Sequence, residues 1–304
     1  MEDREQLLRL GASLKLDAIG VGVAAELRRQ DVPVVLLKGS ALARRLYADD
    51  SFRAHDDVDV LIAPSDDDRA AAVLARLGFE RTGEAGHAEP WVRLADGATI
   101  DLHVRLPGVG GDPQEAWQIL LGRTETIELS GTSVQVFADD ALALHTALHA
   151  AHHGRQGAKA VEDLRRAVAQ LPSSAWQGAA RLAEQVSATP ALAAGLRLLP
   201  EGSTVADRLG LADSATREIA LRADTLPVTA AGLFRLTEAQ GLREKARILG
   251  RELVPRAAFM RSVSPLARRG PAGLAAAYAW RPLWLIARLP RAWNAVRRAR
   301  RVAR

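Results

Sequence analysis

Cysteine is absent from the 304-residue chain, and aromatic residues make up only 4% of it. Without cysteine the chain can form neither disulfides nor thiolate metal sites, which fits a reducing cytoplasm. No apolar run approaches the roughly 20 residues of a membrane span. The N-terminal segment MEDREQLLRL also lacks the basic-then-apolar layout of a signal peptide. We therefore expect a cytoplasmic globular protein whose core is built mainly from alanine, leucine and valine.

Acidic residues are absent after Glu252, although the chain carries 41 basic and 36 acidic side chains. Residues 256–304 contain 12 arginines and half of the six tryptophans, so the net charge of +5 belongs to this tail. The pattern predicts a basic amphipathic helix over 274–301, interrupted by Pro282 and Pro290. Three interpretations stay open: binding to an anionic membrane surface, binding to a nucleic acid, or packing on the protein with arginines outward.

Hydrophobic periodicity predicts an α+β fold in which strands are confined to the first half of the chain. The predicted elements are a helix over 13–30, a strand over 32–37, a helix from 39 to 47, a strand over 57–63, a helix from 65 to 77, strands near 90–94 and 98–105, and a strand pair within 124–137. From Asp139 to about Leu253 the pattern is helical. We predict a mixed-sheet domain flanked by helices over 1–137, a helical domain over 138–255 and a helical tail over 256–304.

Carboxylates crowd the strand that is predicted to begin at Asp57. Because alternate strand residues share a face, Asp57 and Asp59 should point the same way, with valines facing the core. In the strand predicted over 98–105, Asp101 and His103 likewise share a face. If the two strands are neighbours, the three aspartates form one cluster, which is unfavourable without a cation. Hard oxygen ligands select Mg²⁺ or Mn²⁺, so the aspartates are the predicted metal ligands.

A glycine–serine pair in LLKGSAL indicates a phosphate-binding turn. The predicted strand runs into Gly39 and Ser40, and a helix follows, so backbone N–H groups are exposed at its positive end. Glycine permits close approach of a ligand, and Ser40 can add a hydroxyl hydrogen bond. Lys38 and Arg53 are candidates for phosphate contact, although either could instead pair with the aspartates.

These motifs occur in the order typical of polymerase-β-type nucleotidyltransferases, and several segments resemble the bacterial uncharacterised nucleotidyltransferase family. The segments are LLKGSAL at 36–42, Tyr47, Arg53 ahead of DVDVLI at 57–62, IDLH at 100–103, ALHAAHHG at 147–154 and EDL at 162–164. The resemblance implies a minimal nucleotidyltransferase fold that binds an NTP with Mg²⁺, such as ATP. It would transfer a nucleoside monophosphate to an acceptor and release pyrophosphate.

The resemblance also implies roles for individual residues. Asp57 and Asp59 match the family's paired metal ligands. Asp101 matches the third carboxylate, which can help to activate the nucleophile. Gly39 and Ser40 match the turn that holds the triphosphate. The acceptor stays open among a small molecule, a peptide, a protein and RNA. The alternative to an enzyme is a non-catalytic regulator that binds nucleic acid or a partner on a decayed transferase fold.

Histidines recur on one predicted helical face at His145, His149 and His152. They could form a zinc site, line the nucleotide cleft or serve packing alone. His103 shares a strand face with Asp101, and it could orient a metal ligand, act as a base at the acceptor site or be a hydrogen-bonded structural residue. His149 is a second candidate for an orienting role.

Overall fold

The structure is a computed structural model, and it describes residues 2–47, 53, 55–83, 88–212, 236 and 241–302. Helices and strands alternate in the first part of the chain, and helices alone follow. The helices are α1 (Glu2–Arg29), α2 (Ser40–Leu46), α3 (Asp67–Arg76), α4 (Pro113–Leu121), α5 (Asp139–His153), α6 (Ala158–Gln170), α7 (Ser173–Gln185), α8 (Thr189–Leu196), α9 (Pro200–Arg208), α10 (Leu242–Leu253), α11 (Ala257–Val263) and α12 (Gly270–Val302). The strands are β1 (Val34–Leu36), β2 (Val58–Ile62), β3 (Glu80–Arg81), β4 (Ala88–Arg93), β5 (Ala98–His103), β6 (Thr124–Leu129) and β7 (Thr132–Phe137).

One seven-stranded sheet organises the fold, with the strand order β3-β4-β5-β2-β1-β7-β6. The pairs β2–β5 and β1–β7 are parallel, and the other neighbours are antiparallel. Helices flank this mixed sheet, and a helical region follows it, which confirms the predicted α+β class. The order places β2 and β5 side by side near the centre of the sheet, where most of their side chains are buried.

Strand β1 shows how the sheet separates two apolar cores. Val34 and Leu36 pack in a cluster with residues of α1 and α3. Val35 and Leu37, which point to the opposite face, pack in a cluster with residues of α2 and α4–α9. The helices after the sheet thus share a core with it. The division at 137 and 255 into three domains stays a prediction.

Several predicted boundaries were wrong. Helix α1 begins at Glu2, well before the predicted position 13. Helix α4 was not predicted, although the Asp112 side chain caps it by accepting hydrogen bonds from the backbone N–H groups of Gln114 and Glu115. The tail helix is not interrupted, because α12 continues through Pro282 and Pro290. Each proline removes one N–H donor from the helix, and the neighbouring turns persist.

Candidate active site

The register of β2 and β5 brings two carboxylates together. Asp59 pairs with Asp101 across this parallel strand pair, and Leu61 pairs with His103. One ligand atom from each of Asp59, Asp101 and His103 lies within 4.8 Å of the others. Among the described residues, this is the group of histidine and acidic side chains that could hold a metal ion. The two strands are therefore neighbours in the sheet.

Asp59 is the most deeply buried of these acids, with 3% of its surface exposed. Its Oδ1 accepts a hydrogen bond from Lys38 Nζ at 2.6 Å and lies 3.0 Å from His103 Nε2. Burial alone would raise the pKa of Asp59, but the Lys38 charge and the His103 contact hold that pKa well below its usual range. The second oxygen, Oδ2, is buried and has no hydrogen-bond partner. The site therefore contains an ionised oxygen without a donor.

The pKa values of the neighbouring aspartates, Asp101 and Asp57, are raised, in contrast to that of Asp59. Burial, together with the negative charges of Asp59 and Asp57, raises the pKa of Asp101 to about 6. Burial and the Asp59 charge also raise the pKa of Asp57. Burial and the repulsion between neighbouring carboxylates thus both oppose ionisation of Asp57 and Asp101.

Asp57 lies just outside the strand in which it was predicted. It stands in a bend directly before β2, which begins at Val58 and not at residue 57. Asp57 is half-buried and stands outside the group that Asp59 forms with Asp101 and His103. Its negative charge contributes, after burial and Asp59, to the raised pKa of Asp101, so it lies close to the other two carboxylates.

The predicted phosphate turn follows the carboxyl end of β1, beside the part of β2 that carries Asp59. Gly39 has a φ angle of +66°, a backbone conformation that residues other than glycine rarely adopt. Helix α2 begins at the next residue, Ser40. A Cβ atom on Gly39 would lie 3.4 Å from the ring of His55. Lys38, Gly39 and Asp57 line one small cavity together with His55. The structure thus brings the turn, the lysine and the aspartates into one locality.

Arg53 has a partner that the sequence did not reveal. Its Nε and Nη2 donate to the two carboxylate oxygens of Asp163 on α6, both at 2.7 Å. The Tyr47 hydroxyl donates to the same carboxylate at 2.7 Å. Both members of the ion pair are buried, and the third nitrogen, Nη1 of Arg53, has no hydrogen-bond partner. Burial and the Asp163 hydrogen bond raise the pKa of Tyr47, which stays neutral.

The role of Asp163 was missed because its partner lies 110 residues away in the sequence. The one available signal was the resemblance, since Tyr47, Arg53 and the EDL segment at 162–164 are three of its marks. The network ties the loop before β2 to α6. It therefore fixes the approach to the strand that carries Asp59.

The histidines of α5 form a row of rings. His145 stacks on His149 with 6.0 Å between ring centroids, and His149 meets His153 edge-on at 4.5 Å. Burial lowers the pKa of His145 to about 3, so this ring is neutral, and neither of its nitrogens has a hydrogen-bond partner. Within the described part of the chain, the side chains of His145, His149 and His152 do not form a three-ligand metal group.

The α5 row covers the sheet face on which Asp59 lies. Leu61, two residues after Asp59 in the strand, packs in the same core cluster as Leu144 and Leu148 of α5. His149 is half-buried within this layer. The row is thus part of the wall above the acidic site.

A family profile described as "Uncharacterised nucleotidyltransferase" matches residues 10–202. The chain belongs to this family. The match includes the strands that carry Asp59 and Asp101, the turn at Gly39 and the ion pair with Asp163. The predictions of a nucleotidyltransferase family and of a transferase enzyme are confirmed. No curated protein matches this nucleotidyltransferase.

Solved structures with a similar fold include two of ANT(2″)-Ia. The solution structure of this antibiotic-resistance factor has 19% identity and a TM-score of 0.42, covering 57% of this chain and 95% of that one. Its crystal structure with adenylyl-2″-tobramycin has 18% identity and a TM-score of 0.40, covering 54% and 94%. An antigenic nucleotidyltransferase-like protein from Paracoccidioides brasiliensis has 18% identity and a TM-score of 0.36, covering 58% and 91%.

Proposed function

We propose that this nucleotidyltransferase transfers a nucleoside monophosphate from an NTP to an acceptor, with Mg²⁺ or Mn²⁺ held by Asp57, Asp59 and Asp101. The observation that carries the proposal is the buried, ionised and unpartnered Oδ2 of Asp59, directly across the strand pair from Asp101. A carboxylate oxygen in such a place is costly unless a cation binds it.

The residues present fit a divalent cation. Ligand atoms of Asp59, Asp101 and His103 already lie within 4.8 Å of one another, and burial together with the Asp59 and Asp57 charges raises the pKa of Asp101, which a bound cation would counteract. Since His103 contacts Asp59 Oδ1, its proposed role is to orient Asp59 so that Oδ2 faces the cation. Asp57 would complete the ligand set from the bend before β2. When bound, the cation neutralises phosphate charge and stabilises the charge that develops in transfer.

Lys38 has two proposed partners at different stages. Without substrate its Nζ lies on Asp59 Oδ1 and balances the buried charge. In the substrate complex, Lys38 would exchange Asp59 for a phosphate oxygen of the NTP, since Lys38 and Gly39 line the same cavity. Gly39 and Ser40 are the proposed triphosphate-binding turn. Arg53 contributes through its free Nη1, while Asp163 holds the rest of its guanidinium in place.

In the proposed reaction an oxygen of the acceptor attacks the α-phosphorus of the NTP. A new phosphorus–oxygen bond forms, the bond to the β-phosphate oxygen breaks, and pyrophosphate leaves with its electron pair. Asp101 accepts the proton of the acceptor, as a general base positioned beside the reacting group. The protein contributes mainly positioning and electrostatic stabilisation. The acceptor class is a small molecule, a peptide, a protein or RNA.

Isothermal titration of the full chain with non-hydrolysable ATP and GTP analogues, with and without Mg²⁺, tests the binding step. We expect binding that depends on Mg²⁺ and that Asp59→Asn abolishes. Asp56→Asn is the matched control, since Asp56 lies three residues before Asp59, in the bend that precedes β2, and its side chain is 91% exposed and paired with Lys159. This control should bind like the wild type.

The outcomes separate the enzyme from the alternative. Mg²⁺-dependent binding justifies measuring pyrophosphate release with small alcohols, peptides, proteins and RNA as acceptors. If neither analogue binds, or if Asp59→Asn binds as well as the wild type, the proposed catalytic site is wrong. The non-catalytic regulator would then be the better description.

A further inference from the structure

The C-terminal helix α12 packs on the protein through one side only. The Tyr278 hydroxyl donates to the Pro255 carbonyl at 2.6 Å, and Arg281 Nε donates to the Glu252 carbonyl at 2.6 Å. Ala277 packs in a small buried cluster with Met260 of α11. The packed residues of α12 recur at helical spacing, so they define a single face.

The other side of α12 carries large apolar side chains that are exposed. They recur at spacings of three and four residues over about four helical turns. The exposed fractions are 61% for Trp280, 57% for Leu283, 38% for Trp284, 64% for Ile286, 52% for Leu289 and 45% for Trp293. We call these six residues the open face. Scattered exposed leucines are ordinary, but a contiguous set of this size marks an interaction surface.

The charge of the surrounding segment restricts the partner. Residues 256–304 contain 12 arginines and no acidic residue. The guanidinium of Arg288 lies 3.7 Å from the ring centroid of Trp284, at the border of the open face. Arginine beside tryptophan offers a cation and an amphipathic ring at the same level. A complementary partner must therefore present both negative charge and apolar material.

We propose that the open face binds an anionic phospholipid surface. Acyl chains would cover Leu283, Ile286 and Leu289, the tryptophans would lie at the headgroup level, and the arginines would contact lipid phosphates. Nucleic-acid interfaces are more polar and would leave these aliphatic side chains uncovered. A second copy of the chain would bring two arginine-rich segments together. Among the described residues, no helix has the length and apolar character needed to cross a bilayer.

The test uses the full chain and vesicles of two compositions: phosphatidylcholine alone, and phosphatidylcholine with phosphatidylglycerol in equal parts. We expect co-sedimentation with the anionic vesicles that weakens as salt is added. Tryptophan fluorescence reports contact with the lipid, because brominated acyl chains should quench the emission of the three tryptophans in the open face. The remaining tryptophans, Trp91, Trp117 and Trp176, are buried.

Matched variants identify the surface. Leu283→Glu with Ile286→Glu should lower vesicle affinity roughly a hundredfold, since two large apolar side chains no longer enter the bilayer. The control pair, Leu94→Glu with Leu14→Glu, changes the charge equally at leucines that are 47% and 59% exposed elsewhere. It should bind like the wild type.

Three results would overturn the proposal. Absence of binding to anionic vesicles, or equal loss in both variant pairs, contradicts it directly. Tighter binding to duplex DNA or RNA that survives Leu283→Glu with Ile286→Glu would assign the arginines to a nucleic acid. A dimer seen by sedimentation without lipid, and lost only in that variant pair, would assign the open face to a second copy.

Discussion

Replacing Asp101 by asparagine should stabilise the metal-free protein at the expense of its proposed function. Burial and the neighbouring carboxylates raise the pKa of Asp101 from an ordinary 3.8 to about 6. A shift of this size corresponds to about 3 kcal/mol of unfavourable interaction of the ionised carboxylate in the folded state. Asparagine keeps the shape of the side chain and removes the charge. We therefore expect Asp101→Asn to raise the free energy of unfolding by up to about 3 kcal/mol at pH 8.

The pH dependence gives this prediction its sign. Because the folded pKa lies above the unfolded one, protonated Asp101 adds no penalty below about pH 4. The penalty grows as the pH rises through 6 and is complete above it. The advantage of Asp101→Asn over the wild type should therefore appear between these values and then stay constant. Added Mg²⁺ should reduce the difference in free energy of unfolding between the variant and the wild type, since it stabilises the wild type more than the variant.

Urea denaturation in EDTA, from pH 4 to pH 8, measures the effect. Asp68→Asn on α3 is the control, since Asp68 is exposed and lies outside the β2–β5 pair. Its free energy of unfolding should change by less than about 1 kcal/mol. If Asp101→Asn is no more stable than the wild type at pH 8, the argument that the site lacks a cation is refuted.

Three further variants test neighbouring contacts. Asp163→Asn should destabilise the protein by about 3–5 kcal/mol in urea, because the buried Arg53 guanidinium loses its counter-charge; a loss below about 1 kcal/mol would contradict the buried pair. Gly39→Ala should lower stability by about 1–3 kcal/mol, because a φ of +66° with a ψ of −134° is strained for alanine and the new Cβ contacts the His55 ring; an unchanged melting temperature would contradict this strain. In Lys38→Met the free energy of unfolding should fall less steeply than in the wild type as the pH drops below about 4, because Asp59 then lacks the lysine that lowers its pKa. The same fall in both proteins would refute this.

Local sequence patterns predicted the elements that carry the acidic site. The alternation in DVDVLI and IDLH corresponds to β2 and β5, whose apolar residues Val60 and Leu102 pack in one core cluster. The break between the strands predicted near 90–94 and 98–105 is also present, since Gly97 has a φ of +73° and the adjacent strands pair. Period-two patterns of this kind depend only on which face of a strand is buried. They can therefore be read without knowledge of the tertiary fold.

Contacts that depend on how the elements pack together could not be predicted from such patterns. Nothing local distinguishes Asp163 from Asp59 as the partner of Arg53, because both are acids and the outcome depends on where α6 docks. The position of Asp57 depended on where pairing with β5 ends, a matter of one residue. The arginine-rich tail was predicted as a helix, but its exposed side carries tryptophan and leucine as well as arginine. Helical periodicity alone does not say which face is covered.

The long span between Arg53 and Asp163 also bears on how the protein is made. Strand β1 needs β7, some hundred residues later, to complete its pairing, and Arg53 needs a partner that follows β7 by a further helix. During synthesis from the N-terminus, β2 and β5 can pair early, whereas the guanidinium beside them stays without its counter-charge until α6 leaves the ribosome. A nascent chain that stops before residue 163 would therefore hold its acidic residues on an incomplete scaffold. Competence to bind substrate should arise late in translation, in a single step, when α6 docks.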